Sequence, residues 1–233
     1  VGRERACAAG QRSGAAREVR HMIGRFITFE GCEGVGKSTQ VRLLREALEA
    51  RGVPCLFTRE PGGTEVGERI RGLLKDESLD MTDMTELLLF EAARRENTER
   101  VIIPALEAGK LVVADRYIDS TTAYQAFGRG LDRSAVDALN AFGSASVRID
   151  LTVFLDAPPF ANTSRSAADR MEKAGEAFHE RVYEGYRTIA RERPERFVSV
   201  APAADKHATA AKIMELLEAR GIAGWTYPQD TRR

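Results

Sequence analysis

The chain has 233 residues, 43% of them apolar and 30% charged, with 35 lysines and arginines against 35 aspartates and glutamates. That length suits one α/β domain with a sizeable core. A formal net charge of zero argues against a protein held on nucleic acid by bulk charge and leaves only a local basic patch to consider. Cys7, Cys32 and Cys55 form neither a C-x-x-C pair nor an even framework, which argues against structural zinc or a disulfide scaffold and for a reducing compartment. No run of about 18 apolar residues offers a transmembrane helix.

Residues 1–21 carry five arginines and two glutamates without an apolar period or a stretch of signal-peptide length. They are expected to be a disordered extension. Val1 reads either as a GTG start translated literally, with Met22 the more natural start, or as the upstream side of a cloning junction at His21-Met22. An organellar transit peptide fits less well, because the arginines lack amphipathic spacing.

Residues 22–222 read as one domain. A β-branched and aromatic run predicts a strand over 25–30. A glycine-rich turn follows, then a helix over 37–50 closed by Gly52. A short strand is expected over 54–58, then a loop over 59–64 rich in helix and strand breakers. Helical patterns cover 65–75 and 82–108, the second kinked or restarted at Pro104 and stopped at Gly109. The apolar run 111–114 ends at Asp115, as in a strand buried on both faces. A helix over 134–142 precedes a second buried strand over 151–155, which ends at Asp156. Helices around 160–170 and 176–193, a strand over 197–200 and a helix from the Asp205 cap to 219 complete the domain. Residues 223–233 form a tail whose polar end, from Thr226, is expected to fray. Strands alternating with helices imply an α/β fold: a doubly wound parallel sheet of about five strands, flanked by helices.

Residues 31–38, G-C-E-G-V-G-K-S, match G-x-x-x-x-G-K-[ST] between a predicted strand and a predicted helix, the context this phosphate loop requires. Its glycines let successive N–H groups face an anion, and the helix start adds its positive end. Lys37 can reach the β- and γ-phosphates, and Ser38 can ligate Mg²⁺. Asp115, at the carboxyl end of a strand, can hold the same metal directly or through water. Alone it would read as a capping residue; the phosphate loop reverses that preference.

Three classes of phosphate chemistry compete. A GTPase needs a guanine-reading N-K-x-D, and none occurs. A motor or transporter ATPase usually sits in a larger chain with coupling elements. A small kinase needs an acceptor pocket, arginines for the acceptor phosphate and a mobile lid, and this chain offers candidates for all three.

Five segments carry a resemblance: F-E-G-C-E-G-V-G-K-S-T at 29–39, T-R-E-P-G-G-T at 58–64, L-F-E-A-A-R at 89–94, D-R-Y-I-D-S-T at 115–121, and A-Y-Q at 123–125 with G-R-G at 128–130. Together they resemble bacterial thymidylate kinases, over about 24–221. The resemblance implies a P-loop NTPase-type fold with a helical lid, which in this chain is a short one at about 157–175. It implies a cytoplasmic homodimer that uses ATP and Mg²⁺ to phosphorylate dTMP to dTDP, with no nucleic-acid or membrane partner. A P-loop kinase of another nucleotide, or a weakly catalytic nucleotide-binding protein, is the alternative.

The resemblance also distributes roles. ATP would lie on Gly31, Cys32, Glu33, Gly34, Val35, Gly36, Lys37, Ser38 and Thr39, and Ser38 and Asp115 would take the metal. Phe90 would stack on thymine and Arg94, four residues on along one helix face, would reach a carbonyl of the base. The bland readings are a core Phe90 and a solvated Arg94. Arg116 would bind the dTMP phosphate with its planar fork, against the bland reading of a surface ion pair. Glu33 would face the deoxyribose and help organise Arg116. Thr121 and Gln125 would bond the thymine edge, Tyr124 would crowd the sugar 2′ position, and Arg59 would line the pocket. Cys32 reads as a passive filler, and His179 and His207 match no ligand spacing.

The chain departs from the family in one place. Transfer needs positive charge at the transition state, and residues 32–35 of the phosphate loop contain no arginine. The lid must supply it, and there only Arg165 and Arg170 are available, in a segment shorter and poorer in arginine than the family's.

Overall fold

A computed structural model describes residues 22–161 and 175–222. The readings made for residues 1–21, for Arg165 and Arg170, and for the tail lie outside the described residues. Five strands, β1 (Arg25–Glu30), β2 (Cys55–Arg59), β3 (Leu111–Asp115), β4 (Leu151–Leu155) and β5 (Phe197–Val200), form one sheet in the order β2-β3-β1-β4-β5. Every pairing is parallel. Parallel neighbours need crossovers, and helices supply them: α1 (Lys37–Ala50), α2 (Glu65–Lys75), α3 (Asp83–Asn97), α4 (Ile103–Glu107), α5 (Ile118–Thr121), α6 (Arg133–Gly143), α7 (Glu176–Glu192) and α8 (Lys206–Ala219).

Alternation along β1 divides the core in two. Ile27 and Phe29 face Leu48 of α1, Val182 of α7 and Ile213 of α8; Phe26 faces Ile102, Leu106 and Tyr117. Both groups are fully or almost fully buried, and each such side chain contributes roughly 1.5–3 kcal/mol. Register then matters for function: Phe29 lies opposite Asp115, so the phosphate loop after β1 and the residues after β3 emerge side by side.

The long helix expected over 82–108 is not continuous. It ends at Asn97, passes through a π-helical turn at Thr98–Ile102 and restarts as α4 with Pro104 in its first turn. Proline has no N–H to donate and is tolerated only there. The second strand lies one residue later than expected. Phe160 and Ala161, expected to begin a helix, form a turn. The sequence reading missed α5 and the π-helical turn Thr122–Gly128 that continues it. No described helix is long and apolar enough to cross a membrane.

Candidate active site

A cleft of about 1050 Å³ opens at the carboxyl ends of β1, β2 and β3. At one end lies the phosphate loop. Gly31 (φ +144°) has no room for a Cβ, which would meet the Leu155 carbonyl oxygen at 2.9 Å. Gly36 (φ +96°) caps α1 in the left-handed region that favours glycine. The side chains of Cys32 and Val35 turn into the core, so these positions offer the cleft backbone only. Burial pushes the Cys32 thiol up to about 12, which makes it inert filler.

Lys37 is buried, and its Nζ donates to the carbonyl oxygens of Gly31 (2.9 Å) and Cys32 (2.5 Å). Burial, with the Arg116 charge second, brings its ammonium down to about 8; Glu33 and Asp115 oppose that shift. Ser38 Oγ donates to Asp115 Oδ2 at 3.0 Å.

Arg116 sits beside them with φ +71°, a left-handed backbone that costs a residue with a Cβ about 1–2 kcal/mol. That turn aims its guanidinium back at the loop. Nη2 donates to Glu33 Oε1 (2.6 Å) and Tyr124 OH (3.2 Å); Nη1 donates to the Gly31 carbonyl, Ser120 Oγ and Tyr186 OH (3.0–3.1 Å). Burial would raise the Glu33 carboxyl, but Arg116, Lys37 and the Tyr124 hydroxyl outweigh it and hold Glu33 at about 2. Behind this layer Glu30 accepts from Tyr117 N (2.8 Å), Ser120 Oγ (2.5 Å) and Tyr186 OH (3.1 Å). Burial and the neighbouring Asp119 push Glu30 up to about 7.

The far end of the cleft is lined by Phe90, Arg94, Thr121 and Gln125. Phe90 is half-buried at the wall, not in the core. Arg94 is 1% exposed, not a solvated helix arginine. It donates to Glu60 (2.7 Å), Glu91, Asn140 (2.9 Å) and Thr121 Oγ1 (2.8 Å). Arg59 lines the cleft too and pairs with Glu68 at 2.9 Å.

One cleft therefore joins a phosphate-binding loop to a polar, aromatic-walled chamber, along the five segments singled out above. A family model described as thymidylate kinase matches residues 29–223. The chain belongs to the thymidylate kinase family. It is 43% identical over 209 residues to the thymidylate kinase of Citrifermentans bemidjiense, covering 85% of this chain and 93% of that one. It is 45% identical over 203 residues to that of Rhizorhabdus wittichii, covering 84% and 98%. The crystal structure of thymidylate kinase from Ehrlichia chaffeensis is similar with a TM-score of 0.70 at 37% identity, covering 83% of this chain and 98% of that one.

Within this thymidylate kinase cleft, the residues expected at the two ends do converge, and Arg116 stands between them as a mostly buried partner of Glu33, not a surface ion pair. Sequence reasoning missed the residues behind them. Glu60 and Glu91 hold Arg94; Ser120 and Tyr186 hold Arg116 and are themselves held by Glu30. A signal existed: Glu30 ends a strand whose centre is the run F-I-T-F, and Glu60 sits among loop breakers. Among the described residues no group of three His, Cys, Asp or Glu could hold a metal alone. Ser38 and Asp115 nevertheless suit Mg²⁺, which is usually held by one or two protein oxygens together with water and substrate phosphates.

Proposed function

We propose that this chain transfers the γ-phosphoryl group of ATP to dTMP, giving dTDP. The observation that carries the reading is the single cleft with Lys37, Ser38 and Asp115 at one end, Phe90, Arg94 and Gln125 at the other, and Arg116 between. ATP phosphates lie on the loop N–H groups and Lys37. Ser38 and Asp115 would hold Mg²⁺, which would neutralise phosphate charge. Thymine lies against Phe90 and the dTMP phosphate takes the Arg116 fork, for which the Glu33 carboxylate competes. Tyr124, tied to both Glu33 and Arg116, closes the sugar side. Such a site works by positioning and charge stabilisation without a covalent protein intermediate.

The test is ADP release with ATP, Mg²⁺ and a panel of dTMP, dUMP, AMP, CMP and thymidine. Release with dTMP far above the others supports the reading; equal release with AMP or CMP overturns it. Run on Arg165→Ala and Arg170→Ala, the same assay locates the lid arginine. A loss of roughly 100-fold in one of them is expected, and unchanged turnover in both sinks the lid-arginine proposal.

A homodimer is proposed with it. Val66 and Leu73 on α2, Met84 and Leu88 on α3, and Phe142 on α6 are exposed large apolar side chains on helices that pack side by side. A second copy would cover them. Light scattering behind a sizing column is expected to give twice the chain mass, and Leu88→Glu is expected to shift it toward one chain mass. A wild-type monomer at tens of micromolar rules the dimer out.

A further inference from the structure

Gln125 is 1% exposed and lines the base end of the cleft. An amide has the same shape whichever way it points, so its partners alone decide which end faces a ligand. Here the Nε2 end donates to Glu86 Oε1 at 2.9 Å. Glu86 is fully buried, and Arg129 clamps it with Nε at 3.2 Å on Oε1 and Nη2 at 2.9 Å on Oε2. Arg129 is itself steadied by the Phe178 ring, 4.7 Å below, and by Asp83 at 3.4 Å. A carboxylate bound to a guanidinium accepts hydrogen bonds and donates none. Gln125 therefore turns its nitrogen to Glu86 and keeps its oxygen for the cleft.

Arg94 adds the complementary end. Four of its five N–H groups are committed to Glu60, Glu91, Asn140 and Thr121, and the fifth is on Nη2, beside Thr121. The chamber is thus lined by an acceptor on Gln125 and a donor on Arg94.

We propose that Glu86 is a positioning residue that sets base specificity: it fixes Gln125 as an acceptor for the N3–H of a thymine or uracil ring. The same oxygen faces the N3 lone pair of a cytosine ring and opposes it. This rests on reading the cleft as the dTMP site. Replacing the carboxylate by an amide or a thioether removes the acceptor-only partner, so the Gln125 amide is no longer held with its oxygen toward the base.

The test uses dissociation constants for dTMP and 5-methyl-dCMP, which differ only along the base-pairing edge. Wild type is compared with Glu86→Gln and with the double variant Glu86→Met/Arg129→Met, which removes both charges of the pair together and so guards against simple misfolding. A thermal melt checks each fold. The ratio favouring dTMP is expected to fall roughly tenfold or more in both variants. A purely structural role weakens both ligands in parallel, and a ratio within twofold of wild type in both variants overturns the proposal. Wild-type ADP release with dTMP is measured alongside. Its absence overturns the activity reading, while the ratio of binding constants still decides the role of Glu86.

Discussion

Lys37→Met is expected to lower kcat by about 100- to 1000-fold, the usual cost of removing one preorganised charge from a phosphoryl transition state. Binding of dTMP should change little, because Lys37 lies at the phosphate-loop end of the cleft and Phe90, Arg94 and Gln125 at the other. Methionine keeps the volume of the buried stem, so the fold should survive. Steady-state kinetics with a dTMP titration checks both halves; kcat within tenfold of wild type refutes the role. The same residue sets a pH limb. Its ammonium is held at about 8, below the ordinary lysine value of 10.5, chiefly by burial. A lowered lysine loses its charge as pH rises through that value. The kcat/KM for ATP, which reports the free enzyme, should therefore fall above about pH 8. Bound phosphates favour the charged form, so the limb in kcat should lie higher.

Arg94→Met is expected to cost about 3–5 kcal/mol, because it strands Glu60 and Glu91 in the interior without their cation. At about 2–4 °C per kcal/mol for a domain of this size, Tm should fall by roughly 6–20 °C. The sign of the pH dependence is fixed too. Burial already pushes Glu60 up to about 7 against the pull of Arg94, and removing Arg94 pushes it further. A carboxyl raised in the folded state favours folding while protonated and costs stability as pH rises through its folded value. The deficit against wild type should shrink from pH 8 to pH 5. Arg94→Lys should rescue little, since one ammonium cannot reach four acceptors in a plane. A Tm within 2 °C of wild type at pH 7.5 contradicts the account. Binding of dTMP should weaken with stability, because the guanidinium also faces the base chamber.

Local chemistry wrote much of this protein directly into its sequence. The phosphate loop was legible because glycine is needed wherever the backbone must turn left-handed or approach closely, as at Gly36 and Gly31. The parallel sheet was legible because strands buried on both faces read as unbroken apolar runs, as in β3 and β4. Ser38 and Asp115 were legible as a pair because one follows the loop lysine and the other ends a strand. The helix break after Asn97 was only half legible. Pro104 marks a disturbance, but where the chain absorbs it depends on what packs around the turn.

Tertiary structure alone decided the state of the charged residues. Without the resemblance, the residues alone read as a solvated helix arginine at Arg94 and a core phenylalanine at Phe90. The burial of Arg94 depends on Glu60 and Asn140, 34 and 46 residues away in the chain. Arg116 likewise owes its aim to a positive φ and to Tyr186, 70 residues on. Desolvation and long-range pairing raise Glu30, lower Lys37 and turn the Gln125 amide. Composition and spacing carry no trace of them, because a charge's surroundings exist only once distant segments have folded together.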